Sequence, residues 1–145
     1  MVDPEIGNAG VGKLTHLTRL RVRYSETDQM GTFYNSRALE WFEVGRTELM
    51  RAMGLPYTRW EADGAMLPLV EAHVNYRGRA RYDDLLELEV SLAMAGRASL
   101  RFDIRIVNAE TRAAVVDGYT VHAIVDLRGK PTRPPVWFVE RLKKA

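Results

Sequence analysis

SRALEWFEVGRTELMRAM, residues 36–53, is the stretch whose periodicity decides the fold. Ala38, Phe42, Gly45, Leu49 and Met53 recur at intervals of three and four, drawing one apolar stripe along a helix roughly 27 Å long at ~1.5 Å per residue. Asn35 or Ser36 can cap its start, and Gly54 followed by Pro56 stops it. Gly45 costs about 1 kcal/mol of helix propensity relative to Ala, so its place inside the stripe predicts a second backbone passing close to that face.

On either side the period falls to two. Before the helix, Leu20, Val22 and Tyr24 alternate with Arg19, Arg21 and Arg23, the pattern of a strand with one buried and one wet face. After about Met66 four more strands follow. They carry Val70, Ala72, Val74 and Tyr76; then Leu86, Leu88, Val90 and Leu92; then Leu100, Phe102, Ile104 and Ile106; then Tyr119, Val121, Ala123, Val125 and Leu127. Short turns at Ala95-Gly96, Asn108-Ala109-Glu110 and Arg128-Gly129-Lys130-Pro131 join them and imply antiparallel pairing. Residues 1–15, with Pro4, Gly7, Gly10 and Gly12, read as an arm, and the tail offers a last helical turn anchored by Trp137 and Phe138.

The order defines an α+β class: a five-stranded, mainly antiparallel sheet with one long helix as its cover. Five strands span roughly 24 Å, whereas a helix with side chains is about 10 to 12 Å across. The sheet must therefore curl around the helix or leave apolar surface bare, and either outcome favours self-association.

At 145 residues one core and one domain over 1–145 are expected. Hydrophobic residues at 46% and charged residues at 28% exclude disorder of the bulk chain. No apolar run reaches the roughly 18 residues of a membrane span, and the N-terminus lacks a basic start and apolar stretch, so the expected location is cytoplasmic. The absence of Cys excludes disulfides, thiolate nucleophiles and Cys-based metal centres. Lys occurs only at 13, 130, 143 and 144, which leaves 17 of the 21 basic residues as Arg, the side chain suited to carboxylate and phosphate. A net charge of +2 beside 19 acidic residues does not make a duplex-binding surface, so no nucleic-acid partner is expected.

Between the first strand and the helix, YSETDQMGTFYNS (residues 24–36) concentrates acid, glycine, amide and aromatic side chains. On spacing alone, Asp28 and Gly31 make a turn, Asp capping it and Gly supplying positive φ. The alternative is chemical: unpaired N–H groups at the helix start, near Tyr34, Asn35 and Ser36, can hold a carbonyl oxygen as negative charge develops on it, with Asp28 beside it.

The run from Arg21 to Met50 resembles the hotdog-fold acyl-CoA thioesterases of the 4-hydroxybenzoyl-CoA thioesterase type, in Tyr24, Thr27, Asp28, Gly31, Tyr34, Trp41, Phe42, Glu43 and Arg46. VNYRGRARYDDLLELEV (74–90) and GKPTRPP (129–135) extend the resemblance over nearly all of the chain after Leu17. It implies a helix wrapped in an antiparallel sheet, a homodimer with a continuous sheet, often paired into a homotetramer, and acyl-CoA hydrolysis at the subunit interface. Asp28 takes the catalytic carboxylate position, as general base or nucleophile. The Asn35 backbone N–H takes the oxyanion contact, with Gly31 and Tyr34 as companions in the motif. Arg97, Arg133, Arg77, Arg79 and Lys130 are candidates for the coenzyme A phosphates, and Met30, Phe33 and Met66 for an acyl pocket, each otherwise a solvated charge or ordinary core. No separate cofactor is expected, coenzyme A being part of the substrate.

Other constellations do not assemble. His16, His73 and His122 lack metal-ligand spacing, and His73 and His122 read as polar positions on strand faces, so no metal is assigned. No G-x-S-x-G occurs, and Gly7, Gly10 and Gly12 do not form a phosphate loop. Glu40, Glu43 and Glu48 read as solvent and ion-pair residues of the helix. A hotdog dehydratase or hydratase needs a His with a carboxylate, and none stands on or beside the helix by this reading. A non-catalytic module that holds acyl-CoA or a protein is the alternative from another class.

Overall fold

A computed structural model of the chain describes residues 12–145. Its elements are β1 (Leu14–Arg21), a 3-10 turn (Tyr24–Glu26), α1 (Arg37–Ala52), α2 (Tyr57–Ala62), β2 (Leu69–Tyr76), β3 (Leu85–Gly96), β4 (Ser99–Asn108), β5 (Ala114–Ala123) and α3 (Val136–Lys143). The five strands form one antiparallel sheet in the order β1-β3-β4-β5-β2. The first eleven residues of the expected arm lie outside the described region, and Leu14 and Thr15 belong to β1 rather than to it.

α1 matches the apolar stripe, with Ala38, Phe42, Gly45 and Leu49 buried together with Trp41 and Met50. Ser36 stands at its N-cap but makes no side-chain capping bond, and Gly54 closes it at φ +75°. A Cβ at Gly45 would lie 2.7 Å from Val90 Cγ2 and 3.4 Å from Leu88 Cδ2. The partner of that close approach is thus a pair of β3 side chains, not the backbone expected. The backbone approach falls at Gly118 of β5, where a Cβ would lie 1.9 Å from the His73 carbonyl oxygen and 3.2 Å from Phe42 Cε2.

Three expectations change. β1 ends at Arg21, and Tyr24 is exposed on the 3-10 turn, because Val22 N–H binds the Asp84 carbonyl and β1 pairing with β3 stops at Leu85. α1 is not the only cover: α2 follows Pro56 and buries Trp60, which packs 5.2 Å from Trp137 and 4.7 Å from Phe138 of α3. Six residues are too few to show a helical period, so α2 left no sequence signal. On β5 the set facing α1 is Gly118, Thr120 and His122, not Tyr119, Val121 and Ala123. Gly118 leaves room for Phe42, Thr120 and His122 bond each other beside Arg46, and a period of two cannot say which face is the inner one.

α1 packs on β1, β3 and β4 and leaves β2 largely bare. Leu69, Val70 and Tyr76 of β2 are at least half exposed, and the edge away from β5 has no strand partner among the described residues. The two glycines predict an order of cost. Gly118→Ala drives a methyl into a carbonyl held in the β2–β5 ladder, whereas Gly45→Ala displaces only the tip of Val90. Urea denaturation is expected to show Gly118→Ala losing about 3 kcal/mol or more and Gly45→Ala about 1 to 2; the reverse order contradicts this packing.

Candidate active site

The loop between β1 and α1 is folded by its own hydrogen bonds. Thr27 and Phe33 form an antiparallel bridge, Asp28 N–H donates to the Thr32 carbonyl at 2.8 Å, and Gly31 turns the chain at φ +77°. Asp28 Oδ1 accepts from Met30 N–H at 2.8 Å and from Thr32 N–H at 3.4 Å. Asp28 therefore does make the turn, yet this uses one carboxylate oxygen, and Oδ2 has no partner among the described residues.

The loop is fixed from two sides. Phe33 N–H donates to the Ala80 carbonyl at 2.9 Å, and Tyr76 O–H donates to the Asn35 carbonyl at 2.7 Å. Buried Phe33 lies between Trp41 and Tyr76, at ring distances of 4.8 and 6.1 Å. Of the three amides at the helix start, Tyr34 N–H is spent on the Glu26 carbonyl at 2.7 Å. The N–H groups of Asn35 and Ser36 have no acceptor among the described residues, so the pair able to hold an oxyanion is narrower than the sequence suggested.

Glu26, two residues before Asp28, is only 4% exposed. It accepts from Arg23 N–H at 2.7 Å and from Trp41 Nε1–H at 2.8 Å, joining the loop to α1. Burial alone would raise its pKa; the bonds from Arg23 and Trp41 outweigh this and hold it below its ordinary 4.5. Sequence analysis missed Glu26, although Arg23-x-x-Glu26 has capping-box spacing.

The remaining candidates separate. Arg79 adjoins Ala80, whose N–H reaches Thr32 Oγ1 at 3.3 Å, and so stands beside the Asp28 loop. Arg77 is paired with Asp117 at 2.9 Å. Arg97, Lys130 and Arg133 gather at the opposite end of the sheet, where Ala98 and Thr132 both bond Ile124, at 2.8 and 2.9 Å, and Lys130 N–H binds Asp126. The two ends are the length of β3 apart, roughly 35 Å at ~3.3 Å per residue. The expected acyl-pocket residues do not share a pocket: Met30 is 71% exposed, Phe33 is core, and Met66 bridges Val125.

A cavity of about 500 Å³ lies elsewhere, between α1, the start of α2 and the inner face of β4 and β5. Glu43, Arg46, Met50, Leu67, Phe102 and His122 are among its walls. A histidine does therefore stand beside the helix. His122 is buried, its Nδ1–H donates to the Leu67 carbonyl at 3.0 Å, and Nε2 lies 3.0 Å from Thr120 Oγ1. Burial, with the charge of Arg46 adding to it, outweighs the Leu67 bond and pushes His122 down to about 4, so the ring is neutral at pH 7 and Nε2 accepts from Thr120. No cluster that could hold a metal occurs among the described residues, and none of their helices is long and apolar enough to cross a membrane.

Residues 22–142 match the family model described as the Thioesterase-like superfamily, and the chain belongs to that family. It is a thioester hydrolase. The chain is 30% identical over 125 residues to the acyl-CoA thioester hydrolase YbgC of Escherichia coli O6:H1, covering 86% of this chain and 93% of that protein. YneP of Bacillus subtilis is 40% identical over 65 residues, 45% of this chain and 47% of its own length. Among solved structures, a DHNA-CoA thioesterase from Staphylococcus aureus superposes with a TM-score of 0.81 at 27% identity, covering 90% of this chain and 89% of that one.

The Glu26 arrangement carries a pH signature. Because its folded pKa is depressed, its ionised form adds stability above about pH 4.5 that is lost as pH falls through the lower folded value. Glu26→Gln is expected to cost about 1 to 3 kcal/mol at neutral pH, with the gap from wild type narrowing in denaturation curves taken below about pH 4. A gap that stays constant into acid contradicts an ionised, hydrogen-bonded Glu26.

Proposed function

We propose that this chain is an acyl-CoA thioesterase, of the 4-hydroxybenzoyl-CoA type that its motif resembles, with Asp28 as the reacting carboxylate. The observation that carries this is the division of labour within Asp28: backbone amides fix Oδ1 while Oδ2 stays free, on the loop that runs into the unpaired N–H groups of Asn35 and Ser36. Those amides receive the thioester carbonyl oxygen and stabilise the charge that builds on it. Asp28 Oδ2 then either takes a proton from the attacking water or attacks the carbonyl carbon itself, forming an anhydride that water opens. In both routes the carbon–sulfur bond breaks and coenzyme A leaves as thiolate, which takes up a proton, while the acyl group leaves as carboxylate.

Two copies complete the site. Phosphate-binding candidates at both ends of one sheet cannot serve one Asp28, but antiparallel pairing of two β2 edges brings opposite ends together. Pairing centred on the middle of Leu69–Tyr76 sets the partner subunit's Tyr76 across from Leu69. This carries one copy's Asp28 loop toward the end of its neighbour that bears Arg97, Lys130 and Arg133, where the phosphates are held. A dehydratase would need a histidine free to move a proton, and both nitrogens of His122 are engaged.

Two experiments test this. Thiol release from a panel of acyl-CoAs is expected to fall by about 10² or more in Asp28→Asn; wild-type binding without turnover would favour a non-catalytic module, and an unimpaired variant would place the chemistry elsewhere. Mixing Asp28→Asn with the double variant Arg97→Glu/Arg133→Glu, each inactive alone, is expected to restore activity after subunit exchange. One wild-type site forms in each mixed dimer if Asp28 and the arginines come from different copies, and none forms if they come from the same copy.

A further inference from the structure

Arg46 is a cation without a counter-ion. Its guanidinium is half-buried in the cavity wall, its one hydrogen bond, to Thr120 Oγ1, is 3.5 Å long, and it sits 6.0 Å over the Phe102 ring. It joins no ion pair among the described residues. Glu43, one turn earlier, favours its charge from a distance, while burial draws its pKa down. Arg51, the other cation in the wall, is already paired with Glu48. Thr120 does not complete Arg46: its hydroxyl donates to His122 Nε2, and its oxygen takes from Arg46 a single contact 3.5 Å long. A guanidinium has five donors, and only one of those of Arg46 has a protein acceptor, at 3.5 Å, which leaves the rest for water or for a group with oxygen acceptors.

The rest of the wall indicates the shape of what arrives. Met50, Leu67 and Phe102 supply apolar wall to a cavity of about 500 Å³ that also carries Glu43, Thr47 and Thr58, the size range of a small-molecule pocket. Leu67 lies two residues before β2, so in the paired copies proposed above the cavity faces the neighbour's Asp28 loop.

We infer that this cavity receives the acyl part of the substrate and that Arg46 selects acyl groups which are apolar along their length and carry a hydrogen-bond-accepting oxygen, phenol or carboxylate, at the far end. This rests on the thioesterase reading. Thr120 and His122 act as positioning residues: with its proton drawn to Nε2, the Thr120 oxygen is turned toward Arg46 and steadies the guanidinium against the Phe102 ring.

The test is a matched panel of CoA thioesters, 4-hydroxybenzoyl against benzoyl and glutaryl against pentanoyl. Wild type is expected to favour at least one oxygen-tipped member over its plain partner by about tenfold or more in kcat/KM, the two pairs separating phenol from carboxylate. Arg46→Met, with folding checked by thermal melting, is expected to erase that preference, bringing the kcat/KM ratio within each pair to less than about threefold, and Arg46→Lys to restore part of it. Turnover without preference, or a preference that survives Arg46→Met, overturns the inference and leaves the thioesterase reading standing. Hydrolysis-inert thioether analogues separate the two failures. If nothing is hydrolysed, the thioesterase reading falls, and calorimetric binding of the oxygen-tipped analogue with the same Arg46-dependent preference still upholds the cavity's selectivity, while equal binding of both analogues overturns it.

Discussion

A helix of 16 residues has to cover a sheet of five strands. One helix is roughly half as wide as such a sheet, so it can lie closely over some strands and not over the others. It does so over β1, β3 and β4, and glycines stand where the fit is tightest, at 45 on the helix and at 118 on β5. What the helix does not reach stays open: the inner face of β2, with Val70 and Tyr76 half exposed or more, and the space between the second half of the helix and β5. Both openings come from the same mismatch of widths, and in the proposed pairing a second copy along β2 closes the first and gives the other a use.

The proposed chemistry belongs to the other consequence of the helix, its start. A helix that begins at Arg37 leaves amide donors pointing out of its first turn, and the loop that reaches it must hold a carboxylate near them without burying it. Glu26 makes this arrangement firm. Its carboxylate ties the Arg23 backbone to the Trp41 indole and so joins the loop to the helix, while Asp28 takes only backbone amides and keeps one oxygen unbonded. Two acids two residues apart thus have opposite tasks, one buried and saturated, the other half open.

Much of this was legible in the sequence where a period or a special residue states it. The stripe of Ala38, Phe42, Gly45 and Leu49, the stop at Gly54 and Pro56, and the alternation of β3 and β4 all correspond to described elements. The Asp28–Gly31 turn was visible in spacing, and its chemical reading came from a resemblance across the whole loop and helix. What was not legible depends on distance in space. Alternation in β5 could not say that Thr120 and His122, rather than Val121, face the helix, since both sets are buried. Nor could sequence show that Arg79 stands by the Asp28 loop while Arg97 and Arg133 stand a sheet length away, because strand order and direction decide this. Glu26 stood out in no motif and Arg46 only as a motif match until the fold showed one fully bonded and the other nearly without partners.

The most direct measurement is a crystal structure with a hydrolysis-inert acyl-CoA analogue bound. Its carbonyl is predicted to lie at the N–H groups of Asn35 and Ser36 with Asp28 beside it, its phosphates at Arg97 and Arg133 of a second copy paired through β2, and its acyl end in the Arg46 cavity. An analogue held within a single chain, or with its carbonyl away from the start of α1, would contradict the composite site.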